Sequence, residues 1–504
     1  DKDLRNPFDN LPMWYKHQKT TEKKNHLVSL GFKVIEMWEC DWEAQIKSDV
    51  NLQDFLRVTE TPERLNPRDS FFGGRTDTTC LYRCTKNTEK IKYIDFTSLY
   101  PWSNKYCEYP IGHPEIIVGG FKNIESYFGF IKCKVLAPRN LFHPVLPVRH
   151  KDKLFFPLCF SCLQTLSNSC SHSWEERCFI GTWVSEELKL AVTKGYEIVK
   201  IYEIYHFQKR SSDLFKSYID RFLRIKQEAS GWPVQCDTEE LKANYLMNYK
   251  KVEGIELNPQ KITCNPGLRT VGKLALNSFW GRWGMNENKV HRVFLTEEKE
   301  LNKLLSDDKI VIRDFIPCSD EVIELGYSHK DEFLPQKDVT NLFLAAFTTA
   351  HARIKLYNIL NEIDRDVLYY DTDSVIYLSD GTNDPPLGDY LGEFTNELPQ
   401  SEHIVEFVSA GPKNYAYKLS NGETTVKVRG FTLNYRSSQS INIESMKDMV
   451  LGNNNHVIEV EEPLQINRCK KRKIIYNKHA SKKYGFVYNK RNICENYMTF
   501  PYGF

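Results

Sequence analysis

Asp371 and Asp373 stand one residue apart in Tyr369-Tyr370-Asp371-Thr372-Asp373-Ser374. Apolar runs flank them on both sides, Val367-Leu368 before and Val375-Ile376-Tyr377-Leu378 after. The pattern predicts a hairpin over 366–378 with both acids at its tip. Residues two apart on a strand point to one side, so the carboxylates would face one spot. Asp95 lies in a second β-rich run, 91–100, and would join them if the two strands are neighbours. Three converging carboxylates suit phosphoryl transfer. Two hard cations roughly 3.5–4 Å apart can stabilise both ends of an in-line displacement. Magnesium takes oxygen ligands and keeps several waters, so few protein carboxylates suffice. The tetrapeptide Asp-Thr-Asp-Ser also tightens hairpins through local hydrogen bonds. Taken alone it reads more readily as a turn than as a metal site.

A second constellation is basic. Residues 267–280 read as a helix on which Arg269, Lys273, Asn277 and Trp280 form one stripe. Leu268, Val271, Ala275 and Phe279 form another, expected to face the core. A nucleoside triphosphate needs cations for its phosphates and a flat surface for its base. An ordinary amphipathic helix with a solvated face explains the pattern equally well. An earlier helix, 212–228, has Phe215, Tyr218, Ile219, Phe222 and Ile225 on its apolar face and carries Arg221, Arg224 and Lys226. Its basic residues suit phosphates, although a merely soluble face is the simpler account.

The third is a cysteine cluster among 14 cysteines otherwise scattered along the chain. Cys159-x2-Cys162 followed by Cys170-x-His172 offers four zinc ligands for a closed structural site, with Cys178 able to replace His172. Buried cysteines without metal are the competing account.

The elements that must position these groups belong to a chain of 504 residues, enough for two to four structural units. A formal charge of +2 neither supports nor rejects a nucleic-acid partner, because charge can be local. The start, Asp1-Lys2-Asp3-Leu4-Arg5, has no apolar signal region, and no apolar run approaches a membrane span. A reducing, intracellular compartment is therefore expected, the nucleus among the candidates. The chain lacks an initial methionine and is expected to be a fragment. Residues 1–24 read as loose, 25–46 as helix then strand, 285–340 as polar and 341–362 as helix. Gly452-Asn453-Asn454-Asn455-His456 is the expected flexible loop of a mixed tail. Arg468-Cys469-Lys470-Lys471-Arg472-Lys473 reads as a DNA-facing basic patch before a nuclear signal.

The segments occur together and in the order found in family B DNA polymerases. Asp95-Phe-Thr-Ser-Leu-Tyr-Pro101 resembles that family's first palm motif, and Lys273-Leu-Ala-Leu-Asn-Ser-Phe-Trp-Gly281 its finger-helix motif. Tyr369 to Ser374 resembles its second palm motif, and Lys413-Asn414-Tyr415 its primer-supporting Lys-x-Tyr. Phe72-Gly73-Gly74 resembles the template-touching Tyr-x-Gly-Gly, with phenylalanine for tyrosine. The resemblance covers roughly 65–504 and implies an α+β, palm–fingers–thumb fold with two insertions. It implies Asp95, Asp373 and the Phe96 backbone as ligands of two magnesium (or manganese) ions, with Asp371 as an accessory near the primer end. It implies nucleotide contacts from Leu99, Tyr100, Arg221, Lys226, Lys273, Asn277 and Trp280. Tyr100 would exclude a 2′-hydroxyl, and Trp280 stands where the family usually has tyrosine. DNA contacts would come from Gly73, Gly74, Thr372, Lys413 and Tyr415.

The implied layout is an N-terminal remnant at 1–46, a linker with the template motif at 47–90, and a first palm part at 91–107. An insertion at 108–205 follows, then fingers at 206–284, a second insertion at 285–336, a second palm part at 337–419 and a thumb at 420–504. Insertions at these two places are similar to those of protein-primed members, where one meets the priming terminal protein and the other supports strand displacement. Residues 215–284 and the ending Pro501-Tyr-Gly-Phe504 resemble polymerases of Maverick/Polinton elements and related viruses. Residues 25–41 resemble part of very-short-patch-repair-like endonucleases, as an inactive remnant or a plain helix–strand unit. Only 94 residues precede Asp95, too few for the family's proofreading exonuclease, so this chain is expected not to proofread. The implied partners are template-primer DNA, deoxynucleoside triphosphates and a terminal protein, with no membrane. A catalytically decayed, element-derived DNA-binding protein is the alternative. A reverse transcriptase or RNA polymerase is a third, disfavoured by Tyr100 and the Asn277 helix.

Overall fold

In Lys90-Ile-Lys-Tyr-Ile-Asp-Phe96 alternate side chains enter two different cores. Ile91 and Tyr93 pack with Leu368, Tyr369, Ile376, Phe407 and Tyr415. Ile94 and Phe96 pack with Ala352, Leu356, Leu360 and Ile363. A strand buried on both faces belongs inside a sheet, and this one does. The computed structural model describes residues 4, 5, 11–58, 63–86, 88–330, 333, 340–382, 384–452, 457–469 and 474–504. Asn453–His456 of the expected flexible loop and Lys470–Lys473 of the basic run lie outside the described residues.

The chain divides into two units, Asp1–Glu63 with Asn286–Asp338, and Arg64–Met285 with Val339–Phe504. The larger unit holds a nine-stranded sheet. Its main path runs Thr76–Thr78, Val367–Asp371, Ser374–Ser379, Lys90–Phe96, Ile404–Gly411, Asn414–Leu419 and Thr424–Val428, paired antiparallel. The hairpin expected over 366–378 is the Val367–Asp371 and Ser374–Ser379 pair. The helix Leu342–Ile363 covers one face of the sheet, close to its expected bounds. Its cap Asn341 accepts from the Leu344 N–H at 3.1 Å. The strand Thr424–Val428, expected with the thumb, extends this sheet. The helix Ile443–Val450 packs behind it through Met446 and Met449.

Between Tyr109 and Ser211 lies a second, four-stranded sheet with the order Glu115–Ile117, Glu197–His206, Gly129–Leu136 and Phe179–Val184. Three helices follow, Lys216–Glu228, Glu239–Glu253 and Pro266–Ser278, in the stretch expected to form the fingers. In the smaller unit, Asn286–Asp338 forms a three-stranded antiparallel sheet of His291–Leu295, Val322–His329 and Ile310–Ser319. The N-terminal segment departs from expectation. Met13–Ser29 is helical rather than loose, and Lys33–Met37 pairs with no strand among the described residues before the helix Glu39–Ser48. A short strand-like run makes a strand only when a neighbour accepts its backbone hydrogen bonds, and here Ile35 is 85% exposed. Among the described residues no helix is long and apolar enough to cross a membrane.

One buried ion pair ties the loop 72–73 to the helix beneath the sheet. Arg353 meets Glu187 through two bonds of 2.8 Å and donates to the carbonyls of Phe72 at 2.8 Å and Gly73 at 3.0 Å. Both side chains are almost wholly buried. Removing one partner leaves the other an uncompensated buried charge, whereas removing both does not. Arg353→Met is therefore expected to lower unfolding free energy by about 3–5 kcal/mol, and the Arg353→Met/Glu187→Met double variant by less than the single. Chemical denaturation of the two proteins checks the order.

Candidate active site

The register of the sheet sets the acids together. Ser374 pairs with Asp95 and Thr76 pairs with Asp371, and the Phe96 N–H donates to the Asp373 carbonyl at 2.7 Å. Tyr93 and Asp95 share a strand face, as do Tyr369 and Asp371, by the two-residue repeat. The acids thus open away from the Leu342–Ile363 helix, into a cavity of about 400 Å³. Tyr93, Asp95, Asp371, Asp373, Lys413, Tyr415 and Lys427 are among its lining residues.

The hairpin tip is tight. Thr372 has φ 63°, a left-handed conformation that is costly for a β-branched residue. Neighbours hold it there. Its N–H donates to the Arg75 carbonyl at 2.8 Å and its hydroxyl to Asp371 at 3.2 Å. Gly74 lies against it, and a Cβ there would come 2.5 Å from the Thr372 hydroxyl. This is a structural reason for glycine at 74; at 73 a Cβ would meet nothing within 4 Å. In the four-residue form of the template motif the tyrosine position falls on Phe71, not Phe72. Phe71 lies against Gly284, where a Cβ would come 2.4 Å from its ring. Phe72 is only 4% exposed and packs under Arg149 and Arg353, so it does not reach outward.

The three aspartates differ in their surroundings. Asp371 is paired: Lys413 Nζ lies 2.8 and 2.9 Å from its two oxygens, and the Thr76 hydroxyl donates to it at 2.8 Å. Among the described residues neither Asp95 nor Asp373 has an ion-pair partner. Burial pushes the Asp95 carboxyl up to about 7, with Asp373 and Glu397 adding to the rise and Lys273 and Lys427 opposing it. Burial, then the charge of Asp371, raises Asp373 to about 6. Two hard oxygen donors, one raising the other, that no lysine contacts directly among the described residues fit a divalent cation. Tyr415 is 4% exposed and its hydroxyl meets that of Tyr93 at 3.1 Å, so it offers the cavity little beyond that edge.

The basic residues gather beside this centre. Lys226 Nζ donates to the Ser98 hydroxyl at 3.2 Å. Burial lowers its ammonium to about 8, and nearby Arg269 and Lys273 lower it further against Glu253. Leu99 is buried, so its contribution to a ligand would come from the backbone. The helix Leu99–Tyr106 starts at Ser98 without a side-chain cap. The Tyr100 ring sits 4.5 Å from Trp280, centroid to centroid, and the Trp280 indole N–H is buried with no hydrogen-bond partner. Asn277 is exposed on the same helix. Arg221 is exposed too, and five residues from Lys226 it lies about 140° around the helix, so it is not brought to the same face.

The core stripe expected on Pro266–Ser278 is shifted. Leu268 and Val271 are 47% and 55% exposed, whereas Gly272 and Leu276 are buried. Gly272 explains the shift, because a Cβ there would come 3.1 Å from the Lys226 backbone nitrogen. The helix rests on its neighbour where it has no side chain. Lys427, Glu397 and Thr76 act on the acids and carry no sequence signal, since none belongs to a local motif. Elsewhere in this unit, Cys159, Cys162, Cys170 and His172 gather with all ligand atoms within 4.8 Å of one another. Cys178 is not among them; its thiol donates to the Trp174 carbonyl at 3.1 Å, at the end of a short helix that carries it away.

Residues 40–248 match the family described as DNA polymerase type B, organellar and viral. The chain is similar to the type B DNA polymerases over this stretch. It is 26% identical over 314 residues to a probable DNA polymerase of Neurospora intermedia, covering 61% of this chain and 26% of that protein. A probable DNA polymerase of Ascobolus immersus is 25% identical over 217 residues, covering 43% of this chain and 14% of that protein. The chain thus spans about a quarter or less of these relatives' lengths. Its fold is similar to phi29 DNA polymerase in a ternary complex with primer-template DNA and incoming nucleotide. The TM-score is 0.51 at 15% identity over 88% of this chain and 67% of that one. A phi29 polymerase binary complex with primer-template DNA gives 0.51 at 16% identity over 84% and 62%. These likenesses establish the α+β polymerase fold.

A carboxyl whose pKa rises on folding favours the folded state while protonated and loses that advantage as pH climbs towards its folded value. Metal-free protein should therefore lose stability from about pH 4 to 7, the window of Asp95. Asp95→Asn is expected to raise Tm at pH 8 and leave it unchanged near pH 4. Magnesium should raise Tm of the original protein at pH 8 more than that of the variant. Thermal scans at the two pH values, with and without magnesium, check both.

Proposed function

We propose that this chain is the polymerising part of a DNA-directed DNA polymerase, adding deoxynucleotides to a 3′-hydroxyl on template-primer DNA. The observation that carries the reading is the pair Asp95 and Asp373, without an ion-pair partner among the described residues, beside the basic pocket of Lys226 and Lys273. Asp95, Asp373 and the Phe96 backbone would hold two magnesium or manganese ions. When bound, these ions neutralise charge on the attacking and leaving oxygens. Lys226 and Lys273 hold the triphosphate, joined by the uncapped N–H groups at Leu99 and Tyr100, which suit a phosphate. Asn277 and Trp280 border the new base pair, and the Tyr100 ring lies under the sugar, where a 2′-hydroxyl would collide with it. Lys413 neutralises Asp371 and keeps it near the primer end, while Gly73, Gly74 and Thr372 line the path of the duplex and the buried Tyr415 supports that wall through Tyr93.

Protein priming is the finer part of the proposal. The insertion over 108–205 folds as its own sheet and leaves Ile116, Val118, Ile180 and Val199 exposed, a surface suited to a terminal protein. The phi29-like fold supports the same reading. A decayed DNA-binding protein is the second reading, and the intact register of all three aspartates speaks against it.

Asp373→Asn should abolish magnesium-dependent primer extension and leave duplex affinity unchanged; gel extension and fluorescence anisotropy separate the two effects. Full extension by this variant would remove Asp373 from the chemistry. Tyr100→Val should raise ribonucleotide incorporation relative to deoxynucleotide by roughly 10–200-fold, the range that one steric contact commands. Single-nucleotide kinetics with each sugar give the ratio.

A further inference from the structure

We propose that Cys159, Cys162, Cys170 and His172 bind one zinc ion, and that this ion locks the chain's last residues onto the 108–205 insertion. The Nδ1 atom of His172 lies 3.5 Å from Cys159 Sγ, 3.3 Å from Cys162 Sγ and 3.9 Å from Cys170 Sγ. In a tetrahedral site with Zn–S of about 2.3 Å and Zn–N of about 2.0–2.1 Å, each N···S edge is roughly 3.6 Å. The three distances straddle that value. Three sulfurs are thus arranged around one nitrogen at the separations an ion between them requires. Buried cysteines that merely fill a core have apolar neighbours and no reason to converge on an imidazole.

The backbone is shaped for the same purpose. Cys159 caps the short helix Phe160–Thr165, its sulfur accepting from the Cys162 N–H at 3.4 Å. Such a bond favours thiolate over thiol and orients the ligand. Leu166 turns the chain back with φ 53° and brings Cys170 and His172 to the two helix cysteines.

The chain's end is built against this loop. The Leu158 and Cys159 N–H groups both donate to the Tyr502 carbonyl, at 2.7 and 3.2 Å. Asn492 Nδ2 donates to the Ser167 carbonyl at 3.0 Å. Gly503 has φ +91°, and a Cβ there would come 2.4 Å from Cys159 Cβ and 2.6 Å from its nitrogen. Tyr502 is buried in one core with Cys159, Cys162 and Leu163. The same tail donates from Thr499 to the Thr79 carbonyl and accepts at Tyr497 from Leu81, both at 2.8 Å. It therefore sits between the cysteine loop and the sheet edge. Zinc that fixes Cys159 fixes the seat of Tyr502 and Gly503.

The test uses the whole chain, purified without chelator. Elemental analysis should find one zinc per chain. Cobalt exchanged for it should show the intense visible bands of a tetrahedral site and a thiolate charge-transfer band. Cys170→Ser should lose the charge-transfer intensity of one thiolate, and His172→Cys should gain one. Gly503→Ala removes no ligand; it should speed zinc loss to a chelator at least tenfold and expose the tail to proteolysis. A metal-free protein with a Cys159–Cys162 disulfide, or cobalt bound without thiolate bands, overturns the site. Zinc retention in Gly503→Ala equal to the original protein's overturns the link to the chain's end. The cobalt spectrum of the unaltered protein decides the first point even if a variant fails to fold.

Discussion

Two like charges, one on a strand and one at the turn of the neighbouring hairpin, are the constraint around which the larger unit is organised. Asp95 and Asp373 stand side by side because Ser374 pairs with Asp95 across an antiparallel ladder, and among the described residues neither has an ion-pair partner, the lysines nearby only moderating the rise in their pKa. A sheet left to itself would not keep such a pair, since partial burial and mutual repulsion both oppose its ionisation. The apolar face beneath compensates. Ile94, Phe96, Val367 and Val375 pack onto Leu356 and Leu360 of one long helix, which holds the strands in register whatever the acids cost. The available lysine at the tip, Lys413, is committed to Asp371. Asp371 is thus neutralised internally, and the other two carboxylates remain for an external cation.

The basic side of the site depends on a second buried network. Lys105, on the helix that follows Asp95, pairs with Asp220 at 2.7 Å and Glu253 at 2.9 Å. Glu253 also accepts from the Leu391 N–H at 2.8 Å. One ammonium thereby joins the helix carrying Tyr100, the helix carrying Lys226 and the segment leading back into the sheet. Gly272 then lets the next helix settle against Lys226, which delivers Lys273 and Trp280 to the same pocket. Charge placement and close packing are here one device.

What the sequence made legible was local. The hairpin at 366–378 and the helices near 212–228, 267–280 and 341–362 follow from the pattern of apolar residues, and the structure contains them with small shifts. The Cys159–His172 cluster was legible from spacing alone, and His172 rather than Cys178 completes it. What failed was whatever a distant partner decides. Lys33–Met37 lacks a strand to pair with, and Leu268 and Val271 lose the core to Gly272 because the neighbouring helix approaches there. Arg353, 281 positions from Phe72, holds the glycine loop in a way no motif announces. Lys427 and Glu397 reach Asp95 from strands and loops far along the chain, and only the sheet order brings them there.

The contact between Tyr100 and Trp280 has a consequence for timing. Their centroids are 4.5 Å apart, so the slot between the two flat faces is filled by the protein's own rings. Under the proposed function an incoming nucleoside must displace a contact that already satisfies both aromatic faces. The slot behaves as a latch with an internal occupant: its open fraction, rather than the strength of the phosphate contacts alone, scales the apparent affinity. A base that stacks well on indole recovers what the latch gives up, and a poorly stacking one does not. Selection among substrates thereby begins before any base pair is read.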